Sequence, residues 1–305
     1  MNSSPALPRR QFLTQTALAG AALAFAPRPG AADDAPAGGR LLLIVFNKPF
    51  QKLNFDDTAD VVAEVGWSGI ECPVRAKGQI LPEAVEEELP RLVEALKKRG
   101  LTLEIVTTDI VAMNPRAEKV MRTAAKLGIR RFRLGFMYYD LAKPIPPQLA
   151  ELKPAMRDIA ALAKELGLRG GIQNHSGARY VGAPIWDVYE LLHDIDPAHL
   201  GICFDIGHAT LEGGTAWPLH ARLMEPMFAA VYVKDFAWKK GDKGFTADWG
   251  PLGAGMVRKE FFDWLKTSTY RGPISQHVEY QEGAGPAEIA AMKRDLATLK
   301  GWLGA

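Results

Sequence analysis

The chain has only two cysteines in 305 residues, Cys72 and Cys203. A pair about 130 positions apart makes neither a disulfide framework nor a zinc knuckle, and both read as small core filler. Charge of one sign is also lacking. The formal net charge is +2, so the concentrated basic face expected of a nucleic-acid partner is missing. No apolar run is long enough to span a membrane. The first strand-to-helix junction, VFNKPFQKL, has no glycine-rich phosphate loop, which counts against a dinucleotide-binding fold. No linker-like stretch divides the chain, which reads as one domain. With 48% hydrophobic and 24% charged residues, the composition is that of an ordinary well-cored protein.

Residues 1–37 read as a signal peptide and linker, and residues 38–305 as the folded domain. Arg9 and Arg10 precede Phe12 and Leu13 in a pattern that resembles the twin-arginine export signal. An alanine-rich apolar run from Ala17 to Ala26 follows, then small residues near Ala31 and Ala35 to Ala37 that offer cleavage sites. No cysteine follows that run, so a stable membrane anchor is not expected. The implied partner is the twin-arginine export machinery, and the implied location is the periplasm. Removing residues 1–32 takes away three arginines and no acidic residue, which moves the charge from +2 to −1.

Beyond residue 40, strand-like runs alternate with helical ones. Strands are predicted at Leu41–Phe46, Gly69–Cys72, Leu101–Val106, Arg131–Phe136, Arg169–Gln173, Leu200–Asp205, Ala229–Lys234 and Pro273–Glu279. Between them, Leu89, Leu92, Val93 and Leu96 share one helix face, as do Met156, Ile159, Leu162, Ala163 and Leu166. Ile289, Met292, Leu296 and Leu299 mark the last helix. Gly66, Gly100, Gly128 and Gly167 each follow a helical run, where a left-handed residue ends a helix. Eight strand–helix repeats predict a single (β/α)8 TIM barrel, with a doubly wound open sheet as the rival.

In a barrel of this kind, chemistry gathers at the carboxyl ends of the strands. Alternation along each strand selects the inward side chains. They are Glu71, Arg133, Gln173, His175, Asp205, Tyr232, Lys234, His277 and Glu279, with His208 three residues past Asp205. Burying so many polar groups is costly unless they bind one another, water or a ligand. Carboxylates and imidazoles at neighbouring strand ends suit a divalent ion.

FNKPFQKLNFDDTADVVAEVGWSGIECPVR, FDIGHATLEGG, VKDFAW, the PLGAG segment and HVEY together resemble the sugar phosphate isomerase/epimerase family of xylose isomerase-like TIM barrels. The resemblance implies one divalent ion, Mn2+ first, with Mg2+, Co2+ or Zn2+ as alternatives. Its ligands in that family are a glutamate, an aspartate, a histidine and a glutamate at the ends of strands five to eight. Asp205 and Glu279 match the aspartate and the last glutamate, and His208 matches a histidine that touches metal or substrate. Gln173 stands where the first glutamate belongs and Tyr232 where the histidine does, so the site is expected to be weak or to lack its metal.

The expected metal set is Gln173, Asp205, His208 and Glu279. The expected catalytic set is His175, Glu279 and Lys234, with His175 the foremost base because it titrates near neutrality. Substrate contacts are expected from Glu71, Arg133, His208, His277 and Trp238, with Trp249 as a further stacking ring. The reaction implied is proton abstraction beside a carbonyl of a sugar, giving isomerisation or epimerisation. A lyase or hydratase acting on keto-glycosides, or a carbohydrate-binding barrel without catalysis, are the alternatives, and a homo-oligomer stays open. A DNA-repair endonuclease of the same fold would need a histidine-rich trinuclear zinc cluster, for which six histidines are too few and wrongly placed.

Overall fold

The computed structural model describes residues 42–242 and 244–305. The export-signal reading of residues 1–37 lies outside the described residues. Eight parallel strands are β1 (Leu43–Phe46), β2 (Gly69–Pro73), β3 (Thr102–Thr107), β4 (Arg131–Arg133), β5 (Arg169–Gln173), β6 (Leu200–Asp205), β7 (Phe228–Val233) and β10 (Ile274–Gln276). Each pairs with its neighbours, and β1 pairs with both β2 and β10, so the sheet closes on itself. The predicted (β/α)8 barrel is the observed one, and the open-sheet rival is excluded by that closure.

The helices form because their apolar residues recur on one face and their ends are capped. Helix α1 (Phe55–Val65) starts where the Asn54 side chain accepts the Asp57 N–H and ends at Gly66, at φ 95°. In α2 (Val85–Lys97), Leu89, Leu92 and Leu96 are buried; in α4 (Ile145–Leu166), Met156, Ile159 and Ala163 are; in α9 (Pro286–Leu303), Met292, Leu296 and Leu299 are. Gly66, Gly100, Gly128 and Gly167 all adopt positive φ, as their positions after helical runs predict. Two apolar layers result. A large one lies between strands and helices, and a small one of Ile44, Ile105, Cys203, Ala230 and Tyr232 fills the barrel interior. Among the described residues, no helix is long and apolar enough to cross a membrane.

Strands β4 and β10 end earlier than the sequence predicts, and one element was not foreseen. β4 ends at Arg133 because Gly135 turns in against the Asp109 backbone, where a Cβ would meet it at 2.7 Å. β10 ends at Gln276, although the His277 N–H still donates to the Val233 carbonyl (2.8 Å) and keeps His277 in the wall. The addition is an antiparallel hairpin between β7 and β10, formed by β8 (Asp235–Gly241) and β9 (Gly244–Gly250). It carries Trp238 and Trp249.

The base of that hairpin depends on one carboxylate. Buried Asp235 accepts the backbone N–H groups of Phe236 (2.8 Å), Gly253 (2.9 Å), Gly255 (3.0 Å) and Val257 (2.9 Å). The PLGAG segment thereby wraps around Asp235. Gly255 must be glycine there, since a Cβ would sit 2.2 Å from the Phe236 carbonyl oxygen. Removing the acceptor strands several amides at once. Asp235→Ala should lower the free energy of urea unfolding by roughly 3 kcal/mol and expose residues 251–257 to proteolysis; a loss below about 1 kcal/mol would contradict this role.

Candidate active site

Glu71, the middle residue of β2, is fully buried. It accepts hydrogen bonds from Thr107 Oγ1, Ser275 Oγ (2.7 Å) and His277 Nε2 (3.1 Å). Burial pushes the Glu71 carboxyl up, but His277, Thr107 and Arg133 outweigh it and hold it below the ordinary carboxylate range. Burial pulls His277 down, yet Glu71 and Glu279 leave it above the ordinary histidine range. The His277 ring thus sits between two carboxylates, with Nδ1 3.6 Å from Glu279 Oε1. The Tyr232 ring (4.3 Å between centres) and the Phe46 ring (4.8 Å) pack beside it.

From Glu279 the charges continue to alternate. Burial pushes its carboxyl up, but Lys234, His277 and Lys48 reverse this and hold it well below the usual range. Lys234 Nζ lies 3.9 Å from Glu279 Oε1 and 3.3 Å from Asp205 Oδ2. Gln173 Nε2 donates to the same Asp205 oxygen (2.9 Å), and Arg133 donates to Gln173 Oε1 (2.6 Å). Asp205 also caps helix α6 (Ile206–Gly213) by accepting the His208 N–H (3.1 Å). Asn174 fixes the Asp205 backbone from the neighbouring strand end, its Oδ1 accepting the Asp205 N–H (2.7 Å) and its Nδ2 donating to the Asp205 carbonyl (2.9 Å).

Two histidines stand beside this chain with ring centres 4.0 Å apart, and their neighbours fix opposite tautomers. His175 Nδ1 lies 2.9 Å from the Ser176 carbonyl oxygen. A carbonyl only accepts, so Nδ1 carries the proton and Nε2 keeps the lone pair. His208 Nδ1 accepts the Ser176 backbone N–H (3.2 Å), with Ser176 Oγ at 2.8 Å. An amide only donates, so His208 carries its proton on Nε2, 3.7 Å from Asp205 Oδ2. Burial first, then Lys234, pushes His175 down to about 4 and His208 well below its ordinary value. Both imidazoles are neutral at pH 7, one a proton acceptor and the other a donor.

The nine inward residues read from the sequence are therefore in one cluster, together with His208. Trp238 is not among them: its exposed ring packs on Phe236 (5.5 Å), while Trp249 lies against Lys234 Nζ (4.6 Å) and His208 (5.2 Å). The sequence reading missed Asn174, Lys48 and Arg75. Lys48 reaches Glu279 (3.3 Å), and the Arg75 guanidinium lies 5.8 Å from the Phe46 ring centre, within the field of Arg133, Glu71 and Glu279. Alternation continued past the strand ends, from Phe46 to Lys48 and from Glu71 to Arg75, would have reached both. A hollow of about 510 Å³ lined by Lys48, Phe50 and Glu279 opens on one side of the mouth. Another of about 430 Å³ lies at Tyr138 and Tyr180, whose ring stacks on His175 (4.3 Å).

The metal set read from the sequence does not fit a divalent ion in this arrangement. The Gln173 oxygen, its only ligating atom, is turned to Arg133, and its amide nitrogen faces Asp205. His208 presents an N–H, and the Lys234 ammonium lies between the two carboxylates. Among the described residues no group of three histidine, cysteine, aspartate or glutamate side chains has metal-binding geometry.

The Glu71–His277 pair gives a direct check. A raised histidine stabilises the fold below its ordinary pKa of about 6.5, and this contribution is lost as pH rises through the raised value. At pH 6.5, His277 should be mostly imidazolium in the nitrogen-15 spectrum of the ring, while Glu71→Gln should lower its charged fraction, because burial and Lys234 are then opposed by Glu279 alone. An unchanged His277 in Glu71→Gln would refute the pairing.

Nothing among curated proteins matches the chain. Similar solved structures include 3-keto-D-glucoside 4-epimerase YcjR from E. coli, at 15% identity and TM-score 0.65, covering 86% of this chain and 100% of that one. D-psicose 3-epimerase from Clostridium cellulolyticum H10 is 11% identical with TM-score 0.63, covering 87% and 98%. The probable 3-DHS dehydratase AsbF from Bacillus anthracis is 16% identical with TM-score 0.65, covering 85% and 99%. At such identities the likeness establishes the shared barrel. Residues 59–302 match the family described as xylose isomerase-like TIM barrel, and the chain belongs to that family.

Proposed function

We propose that the protein is a sugar-modifying enzyme of the isomerase/epimerase type, which moves a proton on the carbon beside a carbonyl of a sugar or sugar derivative. The observation that carries this reading is the pair of neutral histidines with opposite tautomers at the barrel mouth. His175 Nε2 takes the proton from the carbon. The electron pair moves into the carbonyl, whose oxygen gains the negative charge beside the His208 Nε2–H. Lys234 and Arg133 stabilise that enolate. A different proton, delivered to the same carbon from solvent on the opposite face, gives an epimer and leaves the first proton on His175 to be lost to water. Return of the His175 proton to the former carbonyl carbon, with the hydroxyl proton of the deprotonated carbon passing to the enolate oxygen, gives an isomer. Expulsion of a group from the next carbon gives elimination instead, with His208 as its proton donor. Sugar epimerases and a dehydratase among the similar structures support this choice of reactions. No step runs through a divalent ion, since the donor set does not suit one.

Export by the twin-arginine machinery belongs to the same proposal and would bring the enzyme unphosphorylated sugars. Replacing Arg9 and Arg10 together by lysine should keep the chain in the cytoplasm; unaltered export would end that part.

Proton abstraction is tested by solvent exchange. Ketoses and 3-keto-glycosides incubated in D2O should gain deuterium beside the carbonyl. The rate should rise with pH through about 4 and stay flat to neutrality, because His175 must be unprotonated. His175→Asn should slow exchange by about 10²- to 10⁴-fold with the fold intact. Tight sugar binding without any exchange would instead favour a binding barrel.

A further inference from the structure

The family resemblance calls for a divalent cation between the aspartate at the end of β6 and the glutamate that follows β10. Here that position already holds a cation. Lys234 Nζ lies 3.3 Å from Asp205 Oδ2 and 3.9 Å from Glu279 Oε1, and its side chain is buried. An ion bound to both carboxylates would need oxygen atoms at about 2.1 Å on either side, in the space the ammonium fills. A lysine and a divalent ion so placed repel each other.

Three features hold the lysine there. The Trp249 ring centre is 4.6 Å from Nζ, so the indole face offers its negative side to the ammonium. Gly207, in the first turn of α6, leaves room for the stem: a Cβ there would sit 2.8 Å from Lys234 Cγ and 3.2 Å from Asp205 Oδ1. The remaining candidate ligands face elsewhere. Gln173 spends its oxygen on Arg133 and its amide on Asp205, and the His208 nitrogen nearest Asp205 carries a proton.

We infer that Lys234 is a built-in replacement for the divalent cation of this site, locked between Asp205 and Glu279, so that the protein works on its sugar without a bound metal. This rests on the proton-abstraction reading only for the part that concerns turnover. An ammonium supplies one positive charge and N–H donors to a developing enolate oxygen, where a metal would supply two charges and an open coordination position. Its substrates should therefore be those with an already acidic proton beside the carbonyl, such as keto-sugars, rather than aldoses that must first be opened and polarised.

The position of the cation is tested without substrate. Full-length protein treated with EDTA and dialysed is titrated with MnCl2, and bound Mn2+ is followed by electron paramagnetic resonance and by thermal unfolding. The unaltered protein should bind no Mn2+ in the barrel and show no change in its melting temperature. Lys234→Ala, and Lys234→Gln as the variant that keeps the stem, leave Asp205 and Glu279 without their cation. Each should bind one Mn2+ per chain about a hundredfold more tightly than the unaltered protein, with a rise in melting temperature. Adding Asp205→Asn should abolish that gain. Stoichiometric Mn2+ on the unaltered protein, lost in Asp205→Asn, would overturn the inference. So would folded Lys234 variants that gain no Mn2+. Neither result touches the solvent-exchange test of His175, which stands or fails separately.

Discussion

The site depends on a line of alternating charge threaded through the upper barrel. Glu71 holds His277, His277 reaches Glu279, Glu279 and Asp205 share Lys234, and Asp205 is tied through Gln173 to Arg133. Any one of these groups alone in a barrel interior would carry a large desolvation cost. Taken together they offset much of it, because His277 and Lys234 each lie between two carboxylates. The consequence is rigidity: no member can be removed without leaving its neighbours buried and unpaired. Below the line lies a small apolar cluster, with Tyr232 filling the volume beside His277.

That line sets the chemistry of the histidines next to it. Burial, and then the positive charge of Lys234, hold His175 and His208 neutral at pH 7, while Glu71 and Glu279 hold His277 above the ordinary histidine range. Three histidines within one mouth are therefore set apart by their surroundings, two lowered and one raised. Ser176 divides the two neutral ones, giving its carbonyl to one ring and its amide to the other. A single backbone unit thus separates a proton acceptor from a proton donor. The same arrangement would work poorly with a divalent ion at the centre, since its ligands would need lone pairs where this protein presents N–H groups.

Much of this was legible in the sequence. The helix-ending glycines and the 3.6-residue apolar faces gave the barrel, and period-two alternation at the strand ends gave the inward set, because in a closed parallel sheet one face of every strand has nowhere else to point. The mouth was harder to read. The short hairpin of β8 and β9 follows directly from β7 without a helix, and its alternation in DFAWKKG and GFTADWG is obscured by exposure on both faces. Which tryptophan meets the site follows from the hairpin register, with Trp249 opposite Phe236, and no local pattern contains it. Asn174 lies outside the inward set that alternation selects. Its role is to clamp Asp205 across two strands, a long-range contact between residues 31 positions apart. Gln173 signalled a departure from the family pattern; only the surrounding geometry links it to Lys234.

Neutron diffraction from a deuterium-exchanged crystal tests the central claim most directly, because it shows where each proton resides. In a crystal held at about pH 6, below the ordinary histidine pKa, the account predicts deuterium on His175 Nδ1 alone, on His208 Nε2 alone and on both nitrogens of His277, with a deuterated Lys234 Nζ between Asp205 and Glu279. Deuterium on His208 Nδ1 or His175 Nε2, or a lysine turned away from the two carboxylates, would contradict it.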